Sequence, residues 1–382
     1  MDLDGMRPTW AEVDLNAIRA NIAALKRIAR APRLMAVVKA NGYGHGAVAV
    51  ATAAVEAGAD WLGVASVEEG VALRRHGISA PILVLGYVSP GQAETVILEG
   101  LRVALFDAGL GHALDRAGRR LGKKARVHLK VDTGMGRIGF LPSQVAAVGR
   151  ELAALACVEV EGVFTHLATA DEPGSPYVRL QLERFEAVLA ELAAAGVRPA
   201  IRHVVNSAGL MLLPEAHYDM VRSGIAVVGL PPAPNVAWPV KLTPALTWKT
   251  RVGLVKWLEP GQSVSYGCTY TTSGREQIAT LPVGYADGYP RKLSNRAHVL
   301  IHGRRCPVVG VVTMDQMMVR VPDDVPVKVG DEAVLIGRQG EEEITATELA
   351  QLAETINYEI VCGISGRVPR FYTGAREPGP VR

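Results

Sequence analysis

The chain has 382 residues, of which 49% are hydrophobic and 21% charged, a balance typical of globular proteins. This length exceeds what one hydrophobic core usually serves, which indicates two domains. The net charge is +3, from 41 basic and 38 acidic residues, and argues against a nucleic-acid-binding or membrane-surface protein.

The cysteines are scattered and form no CxxC pair, which favours free thiols in a reducing compartment. They are Cys157, Cys268, Cys306 and Cys362. The N-terminal segment MDLDGMRPTW carries acids and lacks the apolar region of a signal peptide. No apolar stretch approaches the roughly 18–20 residues of a membrane span. We therefore expect a cytoplasmic protein without a membrane partner.

Short apolar runs alternate with Ala/Leu-rich stretches of helical periodicity over the first two-thirds of the chain, which predicts strand–helix units. The predicted strands cover residues 34–39, 61–66, 82–86, 102–106, 126–132, 160–166, 201–207 and 220–229. The predicted helices include residues 46–57, 67–77, 90–99, 141–155 and 178–196, with Asp14 or Asn16 capping another over 16–30. Eight units in about 220 residues predict a (β/α)8 TIM-type barrel.

A Pro-rich segment at 231–239 predicts a linker or domain boundary, after which the pattern changes. Strands are predicted at residues 245–257, 277–283, 298–302, 307–312, 317–321 and 332–337. Thr345 and Glu348 form a capping-box pattern that opens a helix over 346–357. We predict an α/β chain with a barrel domain at 1–238 and a mainly β domain at 239–382, on which a short N-terminal strand can pack.

Lys39 ends the first predicted barrel strand and opens a segment, residues 39–46, that contains three alternating glycines. A lysine at the end of a buried strand can have its amine desolvated and its pKa lowered, as a Schiff-base lysine requires. Most lysines at strand ends are simply solvated, so the hypothesis depends on the residues that accompany Lys39.

The carboxyl ends of the strands carry the chemistry of such a barrel, and the unusual residues of this chain fall there. They are Lys130, Asp132, Arg137, His166, Asn206, Ser207, Arg222, Ser223 and Gly224. The Ser207 hydroxyl and the backbone amides of Gly224 and Ile225 could bind a phosphate after strands seven and eight. A phosphate site combined with a strand-one lysine indicates pyridoxal 5'-phosphate as the cofactor.

Ordinary interpretations compete with these assignments. They are a core histidine for His166, a helix cap for Ser207, a salt-bridge partner for Arg222 and a solvated residue for Lys130. Residues 42–47 also match the dinucleotide-binding pattern GxGxxA, but a Rossmann domain would leave the eightfold repeat unexplained. No HExxH, GxSxG or P-loop pattern occurs, so we predict neither a metal site nor a serine hydrolase or NTPase.

Six motifs make the chain resemble the alanine racemases, which are pyridoxal-phosphate enzymes of fold type III. They are AVVKANGYGHG at 36–46, KVDTGMGRIG at 130–139, SYG at 265–267, PVGYADGYPR at 282–291, TMDQ at 313–316 and TINYEIVCGISGRVPR at 355–370. The similarity extends from residues 7–14 to residues 366–370. It implies a homodimer with shared active sites that interconverts L- and D-alanine and supplies D-alanine for peptidoglycan.

The resemblance implies that Lys39 holds the cofactor and is one catalytic base, and that the partner subunit's Tyr266 is the other. Two bases on opposite faces of Cα can each serve one enantiomer. A tyrosine with a pKa near 10 is a weak base, which the positive field of His166 and Arg222 would correct. Arg222 can only donate to the pyridine nitrogen, which would disfavour transamination.

The remaining roles that the resemblance implies concern binding. The phosphate would contact Tyr43, Ser207, Gly224 and Ile225, with the partner subunit's Tyr358 nearby. Arg137 would contact the cofactor's phenolate oxygen and the substrate carboxylate, while Tyr285 and Met314 would shape the substrate pocket. Lys130 occupies a position that can carry a carbamate in this family, where it would orient Arg137.

Related enzymes of the same fold type are the main alternatives: a serine or broad-specificity racemase, or a diaminopimelate or ornithine decarboxylase. The decarboxylases use a functional cysteine in the second domain, where this chain has residues 313–315, Thr-Met-Asp. Non-enzymatic pyridoxal-phosphate proteins of this barrel lack the second domain altogether. Alanine and serine both stay open as the preferred substrate, as does carbamylation of Lys130.

Overall fold

The computed structural model describes residues 7–374, so part of the N-terminal segment used to argue against a signal peptide lies outside it. The chain divides into two compact units. One comprises Ala17–Tyr43 and Ala47–Thr243, and the other Met1–Asn16, Gly44–Gly46 and Pro244–Arg382. The first strand, β1 (Thr9–Asp14), belongs to the second unit. The sequence placed the domain boundary between residues 238 and 239.

Eight parallel strands form a nearly closed barrel in the larger unit, which confirms the predicted fold class. They are β2 (Arg33–Val37), β3 (Trp61–Val64), β4 (Ile82–Val84), β5 (Arg102–Leu105), β6 (Ala125–Lys130), β7 (Val158–Phe164), β8 (Ile201–His203) and β9 (Met220–Ser223). The strand order is β9-β2-β3-β4-β5-β6-β7-β8. Between the two edge strands, β8 and β9, the Arg222 N–H donates to the Val205 carbonyl at 3.3 Å, just beyond the end of β8. Their apolar runs are buried, as in parallel strands covered by helices.

Helices alternate with these strands along the chain. They are α1 (Leu15–Ile28), α2 (Ala47–Glu56), α3 (Val67–Arg75), α4 (Ala93–Leu98), α5 (Ala108–Leu121), α6 (Pro142–Ala153), α7 (Pro176–Ala194) and α8 (Ser207–Leu212). Asp14 caps α1 from the preceding position, since its Oδ1 accepts from the Asn16 N–H at 2.8 Å. Asn206 caps α8 by accepting from the Gly209 N–H at 3.0 Å, so the cap interpretation of Ser207 is wrong. Among residues 7–374, no helix has both the length and the apolarity to cross a membrane.

The last predicted barrel strand, 220–229, is too long. Strand β9 ends at Ser223, and the Val227 N–H then bonds to the Gly224 carbonyl at 2.9 Å, which closes a turn. Residues 224–228 are apolar because the turn is buried, so their apolar character did not indicate an extended strand.

The second unit is mainly β, as predicted. Its strands after β1 are β10 (Leu246–Arg251), β11 (Leu254–Leu258), β12 (Ser263–Val264), β13 (Tyr270–Thr271), β14 (Glu276–Leu281), β15 (His298–Ile301), β16 (Arg304–Pro307), β17 (Met317–Val321), β18 (Glu332–Gln339), β19 (Glu342–Ile344) and β20 (Arg370–Thr373). One sheet has the order β16-β15-β18-β10-β1-β20, with β19 paired to β18. A second has the order β11-β14-β17, and β12 pairs with β13.

Three predictions in this unit need correction. The run 245–257 is two strands, and the strand predicted at 307–312 lies instead at 304–307. The helix predicted at 346–357 ends at Leu352, and a second one, α10 (Asn357–Gly363), follows α9 (Ala346–Leu352). Thr345 does accept from the Glu348 N–H (3.0 Å), but the Glu348 carboxylate binds Arg305 (2.6 Å) instead of completing a capping box.

Candidate active site

A left-handed turn follows Lys39 directly after the end of β2. At residues 40 to 43 φ is +52°, +54°, +63° and +53°, and only one of the four is glycine. Other residues cost about 1–2 kcal/mol each in this conformation. The Glu69 carboxylate accepts from the N–H groups of Ala40 and Ala65, both at 2.7 Å, and so holds the start of the turn. The backbone beside Lys39 is therefore strained and fixed by tertiary contacts.

Hydroxyl groups meet the backbone at Gly224, directly after the end of β9. The Gly224 N–H donates to Oγ of Ser207 at 2.9 Å, and the Ser223 hydroxyl lies 3.3 Å from the same oxygen. A Cβ on Gly224 would lie 2.2 Å from Oη of Tyr43, so only glycine permits this approach. Tyr43, Ser207 and Gly224 thus form a cradle of donors, with buried Ile225 next in the chain.

Arg222 is 3% exposed, and within residues 7–374 all the groups that accept its hydrogen bonds are neutral. They are Nδ1 of His203 (2.9 Å), Nδ1 of His166 (3.2 Å) and the carbonyls of Val204 (2.8 Å) and Thr165 (3.0 Å). Burial, with repulsion from Arg137, lowers the pKa of Arg222 to about 9, which leaves the group charged at neutral pH. The salt-bridge interpretation of Arg222 is therefore wrong.

His166 follows the end of β7. Burial first, and then the charges of Arg222 and Arg137, hold its pKa well below the ordinary value. The imidazole is therefore neutral at pH 7, contrary to the expectation that it adds positive charge. The positive charge around His166 comes instead from neighbouring residues, chiefly Arg222 and Arg137.

Lys130 is buried on β6, so its interpretation as a solvated residue is wrong. Its Nζ donates to the Val131 carbonyl at 2.8 Å and lies 5.4 Å from the centre of the Phe164 ring. Burial, and then repulsion by Arg222, lowers the pKa of Lys130 to about 7. Arg137 lies in the loop after β6 and is exposed.

Four of the candidate residues lie in the second unit. Tyr266, Tyr285 and Met314 line one surface cleft of about 540 Å³. Their exposed fractions are 74%, 43% and 53%, high for such side chains. The N–H of Tyr285 donates to the Thr313 carbonyl at 3.0 Å, which joins two walls of the cleft. Tyr358 lies in α10 of the same unit.

The backbone conformation of Ser265 determines the position of the Tyr266 side chain. Ser265 has φ +67°, an uncommon value for a non-glycine residue, and its Oγ donates to the Val311 carbonyl at 2.6 Å. A Cβ on Gly310 would lie 2.8 Å from Cβ of Ser265. Strained backbone of this kind is frequent at functional sites.

Comparisons with known proteins agree over nearly the whole chain. Residues 13–232 match the family model for the alanine racemase N-terminal domain, and residues 245–372 match the model for the C-terminal domain. The chain belongs to the alanine racemase family. It is 86% identical to the alanine racemase of Symbiobacterium thermophilum over 374 residues, which cover 98% of this chain and 99% of that protein. The alanine racemase of Carboxydothermus hydrogenoformans is 50% identical over 96% of this chain and 100% of its own.

Solved structures lead to the same family. Alanine racemase from the D-cycloserine producer Streptomyces lavendulae has a TM-score of 0.94 at 43% identity, and covers 97% of this chain and 98% of its own. The enzyme from Clostridium difficile has a TM-score of 0.92 at 42% identity and 96% coverage of both. As a member of the alanine racemase family the chain is an isomerase, which argues against the decarboxylase and non-enzymatic alternatives.

Several residues that contact the predicted site were missed from the sequence. Phe164 stacks on His203, with ring centres 4.6 Å apart, and His203 contacts His128 in turn. The strand period of two does contain a signal, because His128 precedes Lys130 by two positions and so points to the same side of β6. Glu69 gave no such signal, since it lies thirty positions after Lys39 in a helix.

Proposed function

We propose that this enzyme racemises alanine with pyridoxal 5'-phosphate held at Lys39. The observation that carries the proposal is the cradle of Tyr43, Ser207 and Gly224, which lies in the same compact unit as Lys39 and Arg222. Two hydroxyls and a glycine backbone at one point suit a phosphate, because a phosphate needs several short-range donors and close backbone approach.

The residues of the barrel fit the other parts of this cofactor. Lys39 supplies the amine that binds it, and the amide of Ile225 adds to the phosphate donors. Arg222, which has donors only, would donate a hydrogen bond to the pyridine nitrogen without giving it a proton. When bound, the cofactor withdraws electrons from the substrate Cα and so makes its proton acidic.

Two bases then exchange the Cα proton. Lys39 takes or returns it on one face, and the partner subunit's Tyr266 does so on the other. Arg137 binds the substrate carboxylate through its planar guanidinium, and Lys130 orients Arg137. Tyr285 and Met314 limit the size of the side chain that enters, which favours alanine.

A homodimer completes the site. Tyr266 lines a second surface cleft of about 660 Å³ together with Leu254, whose exposed fraction is 50%. Large exposed apolar side chains that line one cleft mark an interaction surface, and a second copy of the chain would cover them.

The biological role that follows is supply of D-alanine for peptidoglycan in the cytoplasm. Free thiols are typical of reducing compartments, and Cys157, Cys268 and Cys306 form no disulfide in the described chain.

Chiral product analysis tests the proposal. The purified protein, given pyridoxal 5'-phosphate and L-alanine, should produce D-alanine until the two enantiomers are equal, and should act more slowly on L-serine and L-lysine. Lys39→Ala should lose both the activity and the visible absorption of the bound cofactor. Faster racemisation of L-serine would favour the serine racemase alternative, and full activity of Lys39→Ala would contradict the assignment of Lys39.

A further inference from the structure

A row of four side chains leads from Arg222 through the barrel interior to Glu161. Nη1 of Arg222 lies 2.9 Å from Nδ1 of His203, and Nε2 of His203 lies 2.8 Å from Nδ1 of His128. Nε2 of His128 lies 3.2 Å from Oε2 of Glu161. Both histidines are fully buried, so no solvent can replace these partners.

The two ends of the row fix the direction of every hydrogen bond in it. A guanidinium only donates and a carboxylate only accepts, while a neutral imidazole has one donor and one acceptor nitrogen. Burial lowers the pKa of both His128 and His203, so both are neutral at pH 7. Each must therefore accept at Nδ1 and carry its proton on Nε2.

A bulge in the backbone of β7 places Glu161 beside His128. The pairing of β6 and β7 shifts at this point, from Val127 opposite Val160 to His128 opposite Gly162, so Glu161 is an extra residue in β7. A bulge of this kind re-aims a side chain. A Cβ on Gly162 would lie 2.4 Å from Nδ1 of His128, so glycine is required beside the ring.

Charge keeps Glu161 an acceptor. Burial favours its neutral acid, but the hydrogen bond with His128 and the charge of Arg102, whose Nε lies 3.2 Å from Oε2, hold the pKa of Glu161 below its ordinary value. The side chain is 14% exposed. Trp61 contacts the edge of His128, with ring centres 5.4 Å apart, and limits rotation of the imidazole.

We propose that Glu161 is a positioning residue for racemisation: its carboxylate fixes the tautomers of His128 and His203 and thereby holds Arg222 in place. Without an acceptor at Nε2, His128 can move its proton to Nδ1, where it would face the N–H of His203. His203 must then change tautomer as well, and Arg222 loses its acceptor. The part of Arg222 in racemisation rests on the proposed function, whereas the tautomers do not.

Three variants separate this role from a general effect on the fold. Glu161→Leu removes the acceptor at similar size, and Glu161→Gln keeps an acceptor oxygen without the charge. Glu159→Leu is the matched control, because Glu159 lies on the same strand but is exposed and pairs with Arg126 (3.3 Å). The tautomers are read from ¹⁵N resonances of the imidazoles in cofactor-free protein, so the result does not depend on catalysis.

In the cofactor-free wild type both histidines should carry the proton on Nε2, as should those of Glu161→Gln and Glu159→Leu. Glu161→Leu should show a different tautomer or a mixture. With cofactor added, its kcat should fall about 10-fold or more, with KM within about 2-fold, as for loss of a hydrogen bond to a charged group. A proton on Nδ1 of either histidine in the wild type, or wild-type tautomers in a folded Glu161→Leu, would overturn the proposal. The wild-type measurement decides even if Glu161→Leu does not fold.

Discussion

Arg222 donates from Nη2 to Nδ1 of His166 across 3.2 Å, so a buried cation has an imidazole as its neighbour where a carboxylate would be usual. The acceptors of Arg222 within residues 7–374 are all uncharged, and its positive charge is not neutralised locally. The positive electrostatic field of Arg222 therefore acts on any ligand that binds at the mouth of the barrel.

Replacement of Arg222 should change the outcome of the reaction as well as its rate. Arg222→Glu offers an acid that can share a proton with the pyridine nitrogen, so the ratio of pyruvate formed to alanine racemised should rise. Arg222→Lys keeps a charge and should leave this ratio close to that of the wild type, with kcat lower by about 10–10³-fold through loss of the fixed fork of donors. An unchanged ratio in folded, cofactor-loaded Arg222→Glu would contradict the electronic role.

Lys130 should react with carbon dioxide at physiological pH. With a pKa of about 7, half of the amine is neutral near pH 7, and the neutral nitrogen can form a bond to the carbon of CO₂ and release a proton. NMR with ¹³C-bicarbonate should show a carbamate whose intensity rises between about pH 6 and 8. Lys130→Met should abolish the signal and Lys124→Met, at an exposed position, should not. Its absence from the wild type at pH 8 would argue against a modified lysine.

The protein should lose stability on mild acidification. The folded state depresses the pKa of His128, His166 and His203, so below about pH 6.5 the unfolded chain binds protons that the folded one does not. The free energy of unfolding should therefore fall as the pH is lowered from 7 to 5, by up to about 4 kcal/mol per pH unit for three groups.

Denaturant titrations of the cofactor-free protein at pH 7, 6 and 5 measure this effect. His166→Gln should reduce the slope by about 1.4 kcal/mol per pH unit. A slope near zero in the wild type would mean that these histidines are protonated in the folded protein.

Two inactive variants should restore activity when mixed, if the active site combines two chains. A mixed dimer of Lys39→Ala and Tyr266→Phe has one site with both changes and one site with neither. Random exchange places about half of the protein in mixed dimers, so about a quarter of the wild-type activity should return. Mixing Lys39→Ala with Arg137→Ala, a change in the same unit, should give no rescue. Equal results for both pairs would argue against a shared site.

Loss of the Tyr266 hydroxyl should affect the two enantiomers differently in exchange experiments. Tyr266→Phe should slow racemisation equally in both directions, because no catalyst can shift the equilibrium. Exchange of the Cα proton with D₂O should persist for D-alanine, through Lys39, and fall about 10²–10⁴-fold for L-alanine. Equal loss from both enantiomers would indicate that Tyr266 only positions the substrate.

Sequence patterns predict the barrel well because burial and periodicity are local. The strands β2 to β9 are short apolar runs, and the polar residues at their ends, such as Lys130 and Arg222, stand out against that background. Some residues around them can be predicted from the strand period of two, since His128 lies on the same face of β6 as Lys130. The predicted end of a strand is wrong where an apolar run continues into a buried turn, as at residues 224–228.

Features that depend on distant partners could not be predicted. The bulge at Glu161 depends on the match between β6 and β7, and nothing in the local sequence distinguishes it from a continuous strand. The capping box at Thr345 failed because Arg305 attracts the Glu348 carboxylate more strongly than the backbone does. In both cases tertiary contacts decide between local conformations that the sequence alone permits.

The left-handed turn at residues 40 to 43 determines when the lysine site can form. Three non-glycine residues in this conformation oppose the turn by about 3–6 kcal/mol, so the isolated segment does not adopt it. The carboxylate that holds it comes from Glu69 in α3, which a growing chain produces about thirty residues after Lys39. During synthesis the turn beside Lys39 can therefore form only after β3 and α3 have packed, and a cofactor held at Lys39, as proposed, would be captured after that step.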